Sequence, residues 1–303
     1  MLTREQFLEV RRQGIGASDV AAIMGLNPFK TAVGVYMEKV GLTPDVPNEN
    51  MEWGKEFEQI IAARFADKTR LRIEWLGDLT VIGPEPWMFA HPDFKIAHEP
   101  HGGEAKMTGG YDKDAWGEEG TDQIPDYYVT QAQWQMLCTG WESVFVTVLF
   151  SGRARIQKHY RVWNDPEMAA MMMEGTRDFW EKHVVPQLQP ALDWSPASKE
   201  YLARRFPSVV EKVREATDEE AALAGEYARV HATFGALEKV KESLANQIKE
   251  KIGDYGSVIG EGFKLSWSQY PEVKYEVHKK AGRSLRVSGE LFKEAKRVAD
   301  AGE

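Results

Sequence analysis

Asp93 is followed eleven positions later by Glu104-Ala105-Lys106, and the residues between read as strand, turn and strand. That order brings two carboxylates together with one ammonium beside them. Carboxylate pairs suit Mg²⁺ or Mn²⁺, hard cations that take oxygen ligands and keep several waters. A neighbouring lysine orients a metal-bound water or stabilises charge developing on a phosphate. The chemistry this pattern points to is metal-dependent phosphodiester hydrolysis. The spacing alone is common, and two solvated strands sharing one salt bridge would read the same way. Its setting adds weight. Asp93 follows Pro92 at the mouth of a strand, and Gly102-Gly103 precede Glu104, where glycines let a ligand approach the backbone.

Three further groups carry chemistry-bearing side chains. Glu56 and Glu58 flank the apolar face of a helix, at its Ile60 and Phe65 edges, and either could add a metal ligand. Helical spacing does not choose between them, and both read equally as boundary charges. Arg11 precedes Gly14-Ile-Gly-Ala-Ser18, where Ser18 caps a short helix. A helix N-terminus, a hydroxyl and a guanidinium together suit a phosphate, although a plain capped helix has the same sequence. Gln131, Gln133 and Gln135 lie on one helix, where amides can bond a phosphate or a water, or simply face solvent.

The elements that position these groups follow from pattern. Thr3-Arg-Glu-Gln6 is a capping box, predicting a helix from Arg4 to about Arg12. A helix is expected from Ala32 to Val40, a polar loop from Pro44 to Asn50, and an amphipathic helix from Met51 to Ala66. Short strands are expected at Arg70–Leu76, Leu79–Ile82, Met88–Ala90, Phe94–Ala97 and Glu104–Met107. Pro125 begins a helix that Gly140 ends. Val144–Phe150 and Ala154–Val162 form a hairpin carrying Arg153, Arg155, Lys158, His159 and Arg161, a basic surface that could track a phosphate backbone. Pro166–Val184 is helical. The order predicts an α/β protein of α+β type, a mixed sheet flanked by helices.

Pro186 to Pro196 marks a boundary. The expected organisation is a domain over 1–190, a linker over 191–208 and an extension over 209–303. In the extension, Leu223, Tyr227, Val230, Phe234, Leu237, Leu244 and Ile248 keep a coiled-coil-like spacing, missed at Lys241. A hairpin near Val258–Trp267 and a polar helix follow. Such a seam suits a contact between copies or with a partner.

The bulk composition bounds the function. The chain has 303 residues, 43% of them hydrophobic, and a net charge of −9. It is long enough for one large domain or two modest ones, and it is too apolar to be disordered. A single cysteine, Cys138, excludes an intrachain disulfide framework and a cysteine-rich zinc site. No apolar run is long enough to span a membrane, and the lone cysteine makes the cytoplasm the expected setting. The seven histidines show no metal spacing, but His91 lies two positions from Asp93.

Read together and in order, GIGASDVAAIMG, MEWGKEFEQI, AHPDF, GGEAKM and TQAQWQM resemble the YqaJ-like viral recombinase family, across roughly residues 1–190. The resemblance implies a PD-(D/E)XK restriction-endonuclease-like core. It implies metal ligation by Asp93, Glu104 and the Ala105 carbonyl, and a catalytic Lys106. It selects Glu58 over Glu56 as a further carboxylate, so that one or two Mg²⁺ ions are held per site, with Mn²⁺ an alternative. It places Arg11 and Ser18 at the 5′-phosphate of a DNA end, with His91, Gln131 and Gln133 among the DNA contacts. The implied activity is a 5′→3′ exonuclease on linear double-stranded DNA, producing single strands for recombination by annealing. The implied partners are DNA ends, further copies of the chain in a trimeric ring, and a single-strand annealing protein, in a bacterial host cytoplasm. An endonuclease of the same fold and an inactive end-binding protein are the competing readings. The family usually reads Ser-Pro-Asp-Gly where this chain has His91-Pro-Asp93-Phe94, which sets a phenyl ring in place of a glycine close to the metal ligands.

Overall fold

The computed structural model describes residues 9, 11–43, 49–77, 79–109, 115–151, 156–208, 213–269 and 290–301. Most of the expected Arg4–Arg12 helix, most of the Pro44–Asn50 loop, and Arg153 and Arg155 lie outside the described residues. The chain divides into two compact units, Met1–Arg205 and Phe206–Glu303.

The first unit runs β1 (Ile15–Gly16), α1 (Ala17–Ile23), α2 (Ala32–Lys39), α3 (Glu49–Thr69), β2 (Ile73–Trp75), β3 (Val81–Ile82), β4 (Met88–Ala90), β5 (Phe94–Ile96) and β6 (His101–Thr108). It continues with α4 (Asp126–Thr139), β7 (Ser143–Phe150), β8 (Ile156–Trp163), α5 (Pro166–Phe179) and α6 (Pro196–Arg205). Five strands form a mixed sheet in the order β2-β5-β6-β7-β8, in which β6 and β7 are parallel and the other pairs antiparallel. A parallel pair needs a crossover, and α4 supplies it. Gly140, at φ +75°, ends α4 in the left-handed conformation and turns the chain into β7.

The centre of this sheet is dictated by β7, Ser-Val-Phe-Val-Thr-Val-Leu-Phe, a β-branched run with the near-continuous burial of a central strand. Val144, Val146 and Val148 share a core with Ala132 and Met136 of α4. Phe145 packs with Phe65 of α3, Phe94 and Ile96. The sheet is thus covered on both faces, as the sequence predicts. A separate core joins α1, α2, α5 and Trp134 around Val20, Val35, Met37 and Met172.

Two local readings are corrected. Gly14-Ile15-Gly16 is more than a helix break: Ile15 and Gly16 pair in parallel with Met88 and Phe89, making a small second sheet in the order β1-β4-β3. A glycine is required because a Cβ on residue 14 would lie 2.3 Å from the Trp87 carbonyl oxygen. Ser18 does not cap the helix. Gly16 is the N-cap, Ser18 is exposed in the first turn, and the Gly16 N–H donates to Asp19 Oδ2 at 3.2 Å.

Residues 196–205, inside the segment expected as linker, form α6. Its Tyr201 is buried, with the ring edge-on to Tyr36 at 6.3 Å. Asp193 braces the start of this helix by accepting from Ser195 N–H and from Ser198 Oγ, at 2.9 and 2.7 Å.

The second unit contains α7 (Asp218–Ile252), the hairpin β9 (Ser257–Gly260) and β10 (Phe263–Ser266), and α8 (Glu290–Ala301). Thr217 and Glu220 form a reciprocal capping box that starts α7. Helix α8 packs along α7. No described helix is long and apolar enough to cross a membrane.

Candidate active site

Strand β6 carries the site. Side chains alternate along it, so Glu104 and Lys106 share one face, and their partners on β7 are Val146 and Val148. These valines belong to the core under α4, which places Glu104 and Lys106 on the α4 side of the sheet. Lys106 Nζ donates to Glu104 Oε1 at 2.5 Å and lies 5.6 Å from the Tyr128 ring. Gln131 donates to the same Oε1 at 2.5 Å, and Gln135 donates to Oε2 at 2.6 Å. A carboxylate offers about four lone-pair positions. Three are used, and the fourth is on Oε2.

Asp93 stands at the end of β5. Its Oδ2 accepts the Ala105 N–H at 2.7 Å, and it is 9% exposed beside Glu104 at 5%. Registered pairing of β5 with β6 stops at Gly103, so among the described residues no strand covers β6 beyond that residue on this side. Within a strand, the N–H and C=O of one residue point the same way, so the Ala105 carbonyl opens toward Asp93. Burial, then Glu104 and Glu58, push the Asp93 carboxyl well above the usual range, against the opposing pull of Lys106 and the Ala105 N–H. Burial opposes charge on Lys106, but Glu104, Asp93 and Tyr128 outweigh it and hold the ammonium above the ordinary lysine value.

Two buried carboxylates that repel, an open carbonyl and a spare lone pair fit a divalent cation that keeps most of its waters. Among the described residues no group of three or more His, Cys, Asp or Glu is gathered tightly enough to form a metal centre by side chains alone. Glu58 is half-buried on α3 and near enough to raise Asp93.

The remaining site residues of the sequence reading are distributed differently. Gln133 does not turn to the carboxylates. It is buried, donates to the Trp163 carbonyl at 2.6 Å and accepts from Asp165 N–H at 3.0 Å. The reason is helical geometry: residues four apart share a face, so 131 and 135 point to Glu104 while 133 points away. The spacing Gln131-x-x-x-Gln135 was the available signal. His91 shares a hydrogen bond of 3.0 Å with Thr80 Oγ1. Arg11 lies 3.7 Å from Asp19 Oδ1, in a second charged cluster. There Lys30 reaches Oδ1 at 2.9 Å, and Lys39 reaches Oδ2 at 2.6 Å and the Arg11 carbonyl at 2.9 Å. Burial disfavours charge on Asp19, yet these cations hold its carboxyl well below the usual range. Sequence spacing carried no sign of this cluster, because its members come from separate elements.

The roles expected of Gly102-Gly103 and Phe94 are corrected. Phe94 is the registered partner of Gly103, and a Cβ on Gly103 would lie 2.0 Å from the Phe94 ring. A Cβ on Gly102 would lie 1.8 Å from Trp141. The glycines make room for aromatic rings, and Phe94 packs on Phe65 at 5.3 Å in the α3 core. On the basic hairpin, Arg161 stacks on Trp163 at 3.9 Å and donates to Ser143 Oγ at 3.0 Å. His159 bonds Thr147 Oγ1 at 2.9 Å. Burial pushes the Cys138 thiol up to about 12, which suits an inert half-buried side chain.

Comparison with known proteins matches residues 6–142 to the YqaJ-like viral recombinase domain. The chain is 27% identical over 264 residues to the uncharacterized protein YqaJ of Bacillus subtilis (strain 168), covering 85% of this chain and 81% of that protein. An alkaline exonuclease from Laribacter hongkongensis has a TM-score of 0.49 at 19% identity, over 66% of this chain and 97% of that one. A phage related exonuclease from Haemophilus somnus 129PT has a TM-score of 0.42 at 11% identity, over 55% of this chain and 92% of that one. Asp93, Glu104, Lys106, Gln131 and Gln135 all fall within residues 6–142, the stretch over which this chain is similar to the YqaJ-like viral recombinase domain.

Proposed function

We propose that this chain is a metal-dependent deoxyribonuclease that degrades linear double-stranded DNA from its ends, 5′→3′, and supplies single strands for recombination by annealing. The observation that carries the reading is buried Asp93 and Glu104 with half-buried Lys106 beside them, held by the Ala105 N–H and two glutamine amides. The recombinase-family match supports the recombination role. The sequence resemblance alone supplies the polarity, the trimeric ring and the annealing partner.

Asp93, Glu104 and the Ala105 carbonyl would hold Mg²⁺ or Mn²⁺, with Glu58 available to a second ion. A bound ion would lower the pKa of a coordinated water and screen the phosphate charge. Glu104 keeps one orientation because Gln131 and Gln135 each hold one of its oxygens. Lys106 orients the attacking oxygen and stabilises the negative charge that builds on the phosphate. Arg11, Ser18 and His91 remain the proposed contacts to the 5′ end. Gln131 acts here through Glu104, and Gln133 through the β8–α5 connection.

The test uses linear duplex labelled separately at each strand end, with a circular control, in Mg²⁺ or EDTA. Metal-dependent release from 5′ ends of linear DNA only is expected. Lys106→Ala is expected to lose cleavage and keep DNA binding, and retained cleavage in that variant would overturn the assignment. Cutting of the circle would instead identify an endonuclease. Binding without cleavage under all metals would identify an end-binding protein.

A further inference from the structure

Helix α7 spans 35 residues, about 52 Å at helical rise, and an apolar stripe runs along one face from Leu223 to Ile248, interrupted only at Lys241. Leu223, Tyr227, Val230, Phe234, Leu237, Leu244 and Ile248 follow the alternating four–three spacing of a coiled-coil seam, and each is between 40% and 64% exposed. The buried residues Ala228 and Ala232 lie on the opposite side of the helix. At its C-terminal end the seam runs into an apolar groove, where Leu244, Ile248 and Ile252 meet Val258 and Leu265 of the hairpin. Isolated exposed apolar residues are ordinary, but seven of eight consecutive seam positions exposed and apolar mark an interface.

We propose that this seam pairs with the same seam of a second copy of the chain, helix α7 against helix α7, in antiparallel orientation. The proposal does not depend on the nuclease reading. The pattern is self-complementary. Centred between Phe234 and Leu237, antiparallel pairing sets Phe234 against the second copy's Leu237, Tyr227 against Leu244, and Leu223 against Ile248. The flanking positions then meet without like charges: His231 faces Glu238, and Glu226 faces Gln247. Lys241 decides the direction. A parallel, in-register pair would bring two Lys241 ammonium groups together inside the seam, which is destabilising. The antiparallel pair sets each Lys241 stem along Val230 and leaves the ammonium at the rim. Seven side chains about half exposed cover roughly 600 Å² per helix, or about 1,200 Å² for the pair, enough for a specific interface.

The test is sedimentation of the full chain over a concentration series, with thermal unfolding alongside. Wild type is expected to associate reversibly. Leu237→Glu, which buries a charge against Phe234, is expected to weaken association at least about 100-fold and halve the assembly mass, with unfolding of the separated chain unchanged. Val230→Glu would face Lys241 of the second copy, and is expected to weaken association at least about tenfold less than Leu237→Glu. Three results would overturn the proposal: a wild-type chain that does not associate, a Leu237→Glu chain of unchanged mass, or two variants of equal effect. Unchanged mass together with lowered stability would show that the seam packs within its own chain.

Discussion

Gln135 donates to Glu104 Oε2 at 2.6 Å from a fully buried position, one helical turn beyond the glutamine that holds Oε1. Its own Oε1 is buried and accepts no hydrogen bond from the described residues, so the bond to Glu104 is the one its side chain makes among them. Gln135→Leu should leave Glu104 half-held. Removing a donor from a buried charged acceptor costs about 1–3 kcal/mol. The expected result is a lower thermal midpoint and weaker Mn²⁺ binding by calorimetry. Gln133→Leu should lower the midpoint through the β8–α5 connection and leave Mn²⁺ affinity unchanged.

Asp93 is buried beside a second carboxylate, which disfavours its charge, and under the proposed reading a bound cation would offset that cost. Asn keeps an acceptor for the Ala105 N–H and removes the charge. Asp93→Asn should therefore stabilise the chain in EDTA by about 1–2 kcal/mol. It should also abolish the stabilisation that wild type gains on adding Mg²⁺. Paired melts with and without metal check both, and a destabilised variant in EDTA would show that the charge is already compensated.

Gly103 and Phe94 form a cross-strand unit in which the ring fills the place of a side chain. Gly103→Ala should cost about 1–3 kcal/mol by overpacking. Adding Phe94→Leu should recover part of that loss, so the double substitution should be less damaging than the sum of the singles. Additive effects in urea titrations would refute the coupling.

Burial opposes charge on Asp193, but hydrogen bonds from Ser195 and Ser198 together outweigh it and bring the carboxyl down to about 2. Its folded value lies below the unfolded value of about 3.9, so its stabilisation is present above pH ~4 and is lost as pH falls toward ~2. The group is partly exposed, so the effect is small. Asp193→Ala should cost about 0.5–1 kcal/mol at neutral pH, with the charge-dependent part of that cost lost only as pH falls through about 2. Melting curves across that window show the two chains converging.

The sequence by itself determined the elements whose patterns are local. The β-branched run Val144–Phe150, the Pro125 start and Gly140 stop of α4, and the coiled-coil-like spacing from Leu223 to Ile248 in α7 each predict an element that the fold contains. It also brought Asp93, Glu104 and Lys106 into one frame, because strand–turn–strand spacing is itself a distance constraint. Tertiary structure decided what depends on direction and on contacts between distant segments. The rotation of α4 over β6 chose Gln131 and Gln135 for Glu104 and turned Gln133 to Trp163. Gly103 became a socket for Phe94 only once β5 and β6 were in register. Asp19 gathered Arg11, Lys30 and Lys39 from three segments that no single period connects. Local spacing fixes which side chains share a face, but only packing fixes what that face meets.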